Sequence, residues 1–190
     1  MEERNVTYDG KTHKLPNPHM VIATQNPIEI GGTYPLPESQ LDRFMMSLSM
    51  GYPSAQDEAA ILQGSSTKQK LSPIISQDEL FMIQNVAKSI YVADIVVEYI
   101  IGLSHQTRIN SNISLGVSPR GSLALYRAAQ VLALSLGRHY VIPDDVKSLA
   151  PKTWEHRLIL TSRAKLEGVK NIDVMQNVVN SVEIPTLKEV

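Results

Sequence analysis

The chain has 190 residues, 43% hydrophobic and 19% charged, with a formal net charge of −1 and no cysteine. That is enough apolar material for one core, or for a partial domain followed by a small complete one. Near-neutral charge with scattered Lys and Arg excludes a broad nucleic-acid footprint, and zero cysteines exclude disulfides and thiolate metal sites. No run of about eighteen apolar residues is available to span a bilayer, and no charged-then-apolar leader is recognisable, so a cytoplasmic location is expected.

Asn5 to Tyr8 and Lys11 to Leu15 flank Asp9-Gly10, a preferred type I′ turn, and predict a hairpin. Met20, Val21, Ile22 and Ala23 read as a strand buried on both faces. Thr24, Gln25 and Asn26 then stand at its carboxyl end, where open α/β sheets place ligands. Pro27 ends the strand, Gly31 and Gly32 permit a sharp excursion, and Pro35 and Pro37 stiffen the return to Leu41, Asp42, Arg43 and Phe44. A polar strand tip and a braced arginine suggest a phosphate site, because an amide donates and accepts at one tip and a guanidinium pairs two phosphate oxygens. The ordinary alternatives are a turn residue at Asn26 and a surface ion pair between Arg43 and Asp42 or Glu38.

From Tyr52 onward the pattern changes to amphipathic helices, placing a boundary near Gly51 to Ser54. Ser54 with Asp57 and Ser76 with Glu79 are start signals, the second opening a helix with Leu80, Ile83, Val86, Ala87 and Ile90 inward. Gly64 to Lys70 reads as an exposed loop. Asp94 is expected to cap a helix burying Ile95, Val96, Tyr99, Ile100 and Leu103. Ser118 and Pro119 begin a long helix through Leu123, Leu125, Ala129, Leu132 and Leu136, closed by Gly137. Pro143, Asp144 and Asp145 start a further helix, Trp154 and Leu158 read as core, and Asn171 to Val182 forms the last helix. The whole is expected to be a bundle with no second sheet. The five histidines lack the spacing of a zinc site, and Asn5-Val6-Thr7 and Asn112-Ile113-Ser114 are chance matches to the glycosylation pattern.

ATQNPIE from Ala23, GTYPLPESQLDRF from Gly32 and GVSPRG from Gly116 together resemble the MoxR family of AAA+ ATPases. The resemblance implies an α/β segment followed by an all-α one. Residues 1–52 would be the carboxyl-terminal piece of an αβα P-loop core, and 53–190 a helical-bundle lid. It implies that Asn26 is sensor 1, orienting the attacking water, and that Arg43 is an arginine finger offered to a neighbouring subunit's nucleotide. Arg120 would be sensor 2, reaching the phosphates from the lid within its own subunit or the adjacent one. Otherwise Arg120 is a solvated arginine in a first helical turn, where the dipole slightly disfavours it. The family uses ATP and Mg2+ in a ring-shaped homo-oligomer that remodels or matures partner proteins, with the client unspecified and no nucleic acid or membrane span involved.

An NTPase also needs a glycine-rich loop ending in Gly-Lys-Ser/Thr and an acidic strand end. Gly10-Lys11-Thr12 does not qualify, because Asn5 stands where that loop needs glycine and a hairpin surrounds it. In MoxR-like proteins Met-Glu-Glu-Arg, here Met1 to Arg4, follows the acidic Walker B strand. The chain is therefore expected to be the later part of a longer ATPase, with no nucleotide or metal bound on its own. The alternatives are a non-catalytic helical interaction module of AAA+ ancestry and a magnesium-chelatase-type ATPase subunit, the latter matched less closely by ATQNP and LDRF.

Overall fold

The computed structural model describes residues 5–25, 36–64 and 71–184. Strands β1 (Asn5–Tyr8) and β2 (Lys11–Lys14) form an antiparallel hairpin with Val6 opposite His13. Asp9 and Gly10 both have positive φ, 50° and 73°, as a type I′ turn requires. Gly10-Lys11-Thr12 is thereby a hairpin, with none of the geometry of a phosphate loop.

Residues 20–25 form no strand, and Met20 and Ile22 are 84% and 77% exposed. An apolar run becomes a strand only when neighbours take up its backbone groups, and among the described residues none lies beside it. Helix α1 (Glu38–Leu41) follows, ending at Asp42. The segment after it lies against the helical body: Ser47 N donates to Lys152 O at 2.9 Å, and Met46 packs on the core. Helix α2 (Ala55–Leu62) starts at Ser54, whose Oγ accepts from Asp57 N, and buries no residue.

The core is helical. Helix α3 (Gln77–Ser89) opens with a complete capping box between Ser76 and Glu79. Only Ala87 and Ile90, at its carboxyl end, are buried; Ile83 and Val86, expected inward, stand exposed. This end is the one that α5 meets, where buried Gln130 donates Nε2 to Ile90 O at 2.8 Å. Helix α4 (Asp94–Ile109) takes Ala93 as its cap residue, so Asp94 is the first helical residue and does not cap through its side chain. Val96, Tyr99, Ile100 and Leu103 face inward as the spacing predicts.

Helix α5 (Pro119–Ser135) packs along α6 (Pro143–Trp154), the main helix pair of the body. Leu125 and Ala129 are buried, while Leu123 and Leu136 are exposed, because the helix shows its partners a narrower stripe than its apolar content. Gly137 closes it with φ 71°. Asp145, 4% exposed, holds the turn between the helices: it accepts from Ile142 N at 3.0 Å and receives both terminal nitrogens of Arg138. A 3-10 turn (Glu155–Arg157), helix α7 (Ser162–Leu166) and helix α8 (Asn171–Ser181) complete the body, α8 burying Val174, Met175, Val178 and Val179. The bundle also contains a small sheet that the sequence reading lacks: β3 (Ile113–Leu115) pairs antiparallel with β4 (Ile159–Leu160). Strands of three and two residues carry too little alternation to be recognised. No helix of the described residues is long and apolar enough to cross a membrane.

Candidate functional site: the junction of Asp42, Arg120 and Arg157

The turn leading into α5 is fixed before any charge enters. Val117 N donates to Thr107 Oγ1 at 3.0 Å, and Arg108 Nε donates to Val117 O at 2.9 Å. A Cβ on Gly116 would meet Thr107 O at 2.8 Å, and one on Gly121 would meet Val117 Cγ1 at 2.7 Å and Arg157 Cδ at 3.2 Å. Both glycines of GVSPRG are therefore demanded by close approach. Ser118 Oγ accepts from Gly121 N at 3.2 Å, capping the helix, and Trp154 Nε1 donates to Gly121 O at 2.8 Å.

Arg157 lies across this first turn with its side chain 2% exposed. Its Nε donates to Thr153 O at 2.9 Å, Nη1 to both the backbone O and Oδ1 of Asp42 at 2.5 Å, and Nη2 to Phe44 O at 2.5 Å. The planar fork thus spends four of its five N–H groups within the fold, three of them on the segment just after α1. Next to it, His156 Nε2 donates to Phe44 O at 3.1 Å, while Nδ1 has no partner among the described residues. Burial pushes the imidazole below its ordinary value; the Phe44 carbonyl opposes this and the Arg157 charge reinforces it.

Asp42 is the hub. Ser118 Oγ–H donates to its Oδ1 at 2.9 Å, Arg157 holds Oδ1, and Arg120 Nη1 reaches Oδ2 at 3.3 Å. Burial raises the carboxyl, but the bonds from Ser118, Arg157 and Arg120 outweigh it and hold the group below its usual value. The two expected arginines meet here in different states. Arg120, its side chain 41% exposed, is tied to Asp42. Arg43, the residue after Asp42, is exposed and makes no side-chain hydrogen bond or ion pair among the described residues. The pairing of Arg43 with Asp42 or Glu38 therefore does not form, because Asp42 is already held by two other arginines. Asn26, the third expected site residue, lies outside the described residues.

Exposed guanidinium groups such as those of Arg43 and Arg120 have the chemistry to pair phosphate oxygens. The described residues contain no group of three or more His, Cys, Asp or Glu that could hold a metal ion. Sequence reasoning missed Asp42 and Arg157 as site residues. A signal existed in His156-Arg157-Leu158, because an arginine beside the core residue Leu158 needs acceptors, but which acceptors it finds depends on the fold.

This architecture defines the carboxyl-terminal region of an AAA+ ATPase with its helical lid. The family models agree: residues 1–46 match the ATPase family associated with various cellular activities (AAA), and residues 105–178 match the AAA lid domain. The chain is similar to the uncharacterised protein YeaC of Bacillus subtilis, with 44% identity over 97% of this chain and 59% of that protein. It is similar to Chaperone MoxR1 of Mycobacterium tuberculosis, with 38% identity over 100% of this chain and 53% of that protein. A crystal structure assigned as an ATPase, from Cytophaga hutchinsonii, superposes with a TM-score of 0.87 and 33% identity, covering 97% of this chain and 60% of that one. The chain belongs to the MoxR family of AAA+ ATPases, and it spans between about half and 60% of the length of these relatives.

Proposed function

We propose that this chain supplies the arginine-bearing edge and the lid of a ring-forming, ATP-hydrolysing MoxR-type machine that remodels or matures partner proteins in the cytoplasm. The observation that carries this reading is the contrast at the junction: Asp42 is held from three sides, while the adjacent Arg43 is exposed and unpaired among the described residues. A fixed backbone with an unspent guanidinium is what an arginine finger needs, because its charge must be delivered to phosphate and not to its own fold. Arg120, joined to the neighbouring Asp42, serves the same nucleotide as sensor 2, so both arginines act across the subunit interface. Asn26 acts as sensor 1.

In the reaction, water oxygen bonds to the γ-phosphorus, the bond to the β–γ bridging oxygen breaks, and ADP and phosphate leave. Arg43 stabilises the charge gathering on the transferred group, a contribution worth roughly a thousandfold or more in rate. With no phosphate-cradling loop in its sequence, this chain alone neither binds Mg-ATP tightly nor hydrolyses it.

Calorimetric titration with Mg-ATP tests the reading, comparing this chain with one extended upstream through a nucleotide-binding segment. Binding and turnover only in the longer chain are expected, with turnover but not binding lost in Arg43→Ala. Tight binding by the short chain overturns it. The exposed apolar face of α3, with Met82, Ile83 and Val86, favours a second reading as a helical module that docks partners without nucleotide. Silence from both chains selects that one.

A further inference from the structure

We infer that Arg157 and Asp42 form a clasp that sets the position of Arg43 relative to the lid, making both of them positioning residues for ATP hydrolysis. The inference rests on the reading of Arg43 as the finger, but its physical basis is separate. Residues 42–44 belong to a segment with little core of its own: α1 has four residues, none buried. A segment so short does not hold a geometry by itself. Its geometry comes from the lid, through Arg157 on Asp42 O, Asp42 Oδ1 and Phe44 O, and through His156 on Phe44 O. These bonds bracket Arg43 on both sides, since its preceding and following carbonyls are both held. Arg157 is in turn seated by Gly121, in the helix α5 that also carries Arg120, and by Thr153 O, in the helix α6 packed along it. Any rotation of the lid therefore carries the finger's backbone with it, and sensor 2 and the finger move as one body.

An interaction that only stabilised the fold would not need to grip the two carbonyls flanking one exposed arginine. The fork also makes Arg157 irreplaceable by lysine, whose three donors radiate from one point and cannot meet oxygens spread along a plane.

The test uses Asp42→Asn, which keeps the shape and removes the charge, and Arg157→Lys, which keeps the charge and removes the fork, with Arg163→Gln as a control on an exposed pair with Glu167. In this chain, amide exchange is read at Arg43, Phe44 and Ser47, whose N–H groups bond Gln40 O, Leu41 O and Lys152 O. The expected result is roughly tenfold faster exchange at these three amides in both clasp variants, with α4 and α5 unchanged. In the upstream-extended chain, kcat is expected to fall roughly ten- to a hundredfold while KM for ATP stays within about twofold. Arg163→Gln should change neither. Unchanged exchange at the three amides overturns the clasp. Unchanged kcat in both variants, with turnover abolished by Arg43→Ala, overturns the positioning role alone. Full turnover in Arg43→Ala removes the finger itself, a failure distinct from the other two.

Discussion

Gly121→Ala and Gly102→Ala are the same chemical change in two helices, and they should have opposite signs. Alanine is favoured over glycine in a helix by roughly 1 kcal/mol. At Gly102, within α4, the added methyl meets only Val182 Cγ1, at 3.7 Å, an ordinary contact, so the propensity gain survives. At Gly121 the same methyl arrives 2.7 Å from Val117 Cγ1 and 3.2 Å from Arg157 Cδ. Val117 is 1% exposed and its backbone is tied at both N and O, so it cannot yield. Overpacking of this kind costs about 1–3 kcal/mol, and displacing Arg157 from its acceptors adds roughly 1 kcal/mol. The net expectation is a loss of about 2 kcal/mol at Gly121 and a gain of about 1 kcal/mol at Gly102. For a chain of this size these correspond to shifts in Tm of roughly −4 to −8 °C and +2 to +4 °C. Thermal unfolding followed by the fluorescence of Trp154, the single tryptophan, reads both, and its indole N–H reports directly on Gly121 O. If Gly121→Ala is as stable as the parent chain, or if both substitutions move Tm in the same direction, the close-approach account of GVSPRG is wrong.

Asp145→Ala should cost about 3 kcal/mol in urea unfolding, because it strips a buried carboxylate from Arg138 and from the Ile142 N–H; a loss under about 1 kcal/mol would mean that water replaces these bonds readily. Arg43→Ala should leave stability within about 0.5 kcal/mol of the parent in the same assay, since the side chain is exposed and unpaired among the described residues, and a larger loss would reveal a bond in the fold. Acid should weaken the junction in two stages. His156 has a folded value below its ordinary 6.5, so the unfolded chain binds more protons and stability is lost as pH falls from about 6.5. Asp42, held below its ordinary 3.8, contributes stability above that value that is lost as pH falls through its folded one, whereas half-buried Glu155, raised above 4.5, has the opposite sign. Comparison with His156→Gln isolates the first stage: between about pH 7.5 and 5.5 the variant should lose less stability than the parent, and equal slopes would refute the assignment.

Much was legible in the order of residues. Asp9-Gly10 specified the hairpin, because few dipeptides accept two positive φ angles in succession. Ser54, Ser76 and Ser118 marked three helix starts, because a hydroxyl next to bare amides acts within one turn. The motifs of Asp42-Arg43 and Gly116 to Gly121 pointed to the AAA+ region and its lid. All of these are local: the partners stand within a few residues, so spacing alone carries the physics.

Where the partner is distant, the tertiary structure decided. Met20 to Ala23 has the composition of a buried strand, yet burial is a property of neighbours, and those residues are mostly exposed. The apolar side of α3 looked like core, but only its carboxyl end meets α5. The ion pairs at the junction show the limit most plainly. Asp42 and Arg43 are adjacent, and short-range charge pairing favours joining arginines to nearby acids. The fold instead brings Arg157 to Asp42 across 115 residues and Arg120 across 78, and so leaves Arg43 without a side-chain partner among the described residues. Chain connectivity sets which groups a residue can reach cheaply, but desolvated geometry sets which it holds. A buried guanidinium must satisfy its N–H groups wherever acceptors converge, and only the packed lid makes them converge.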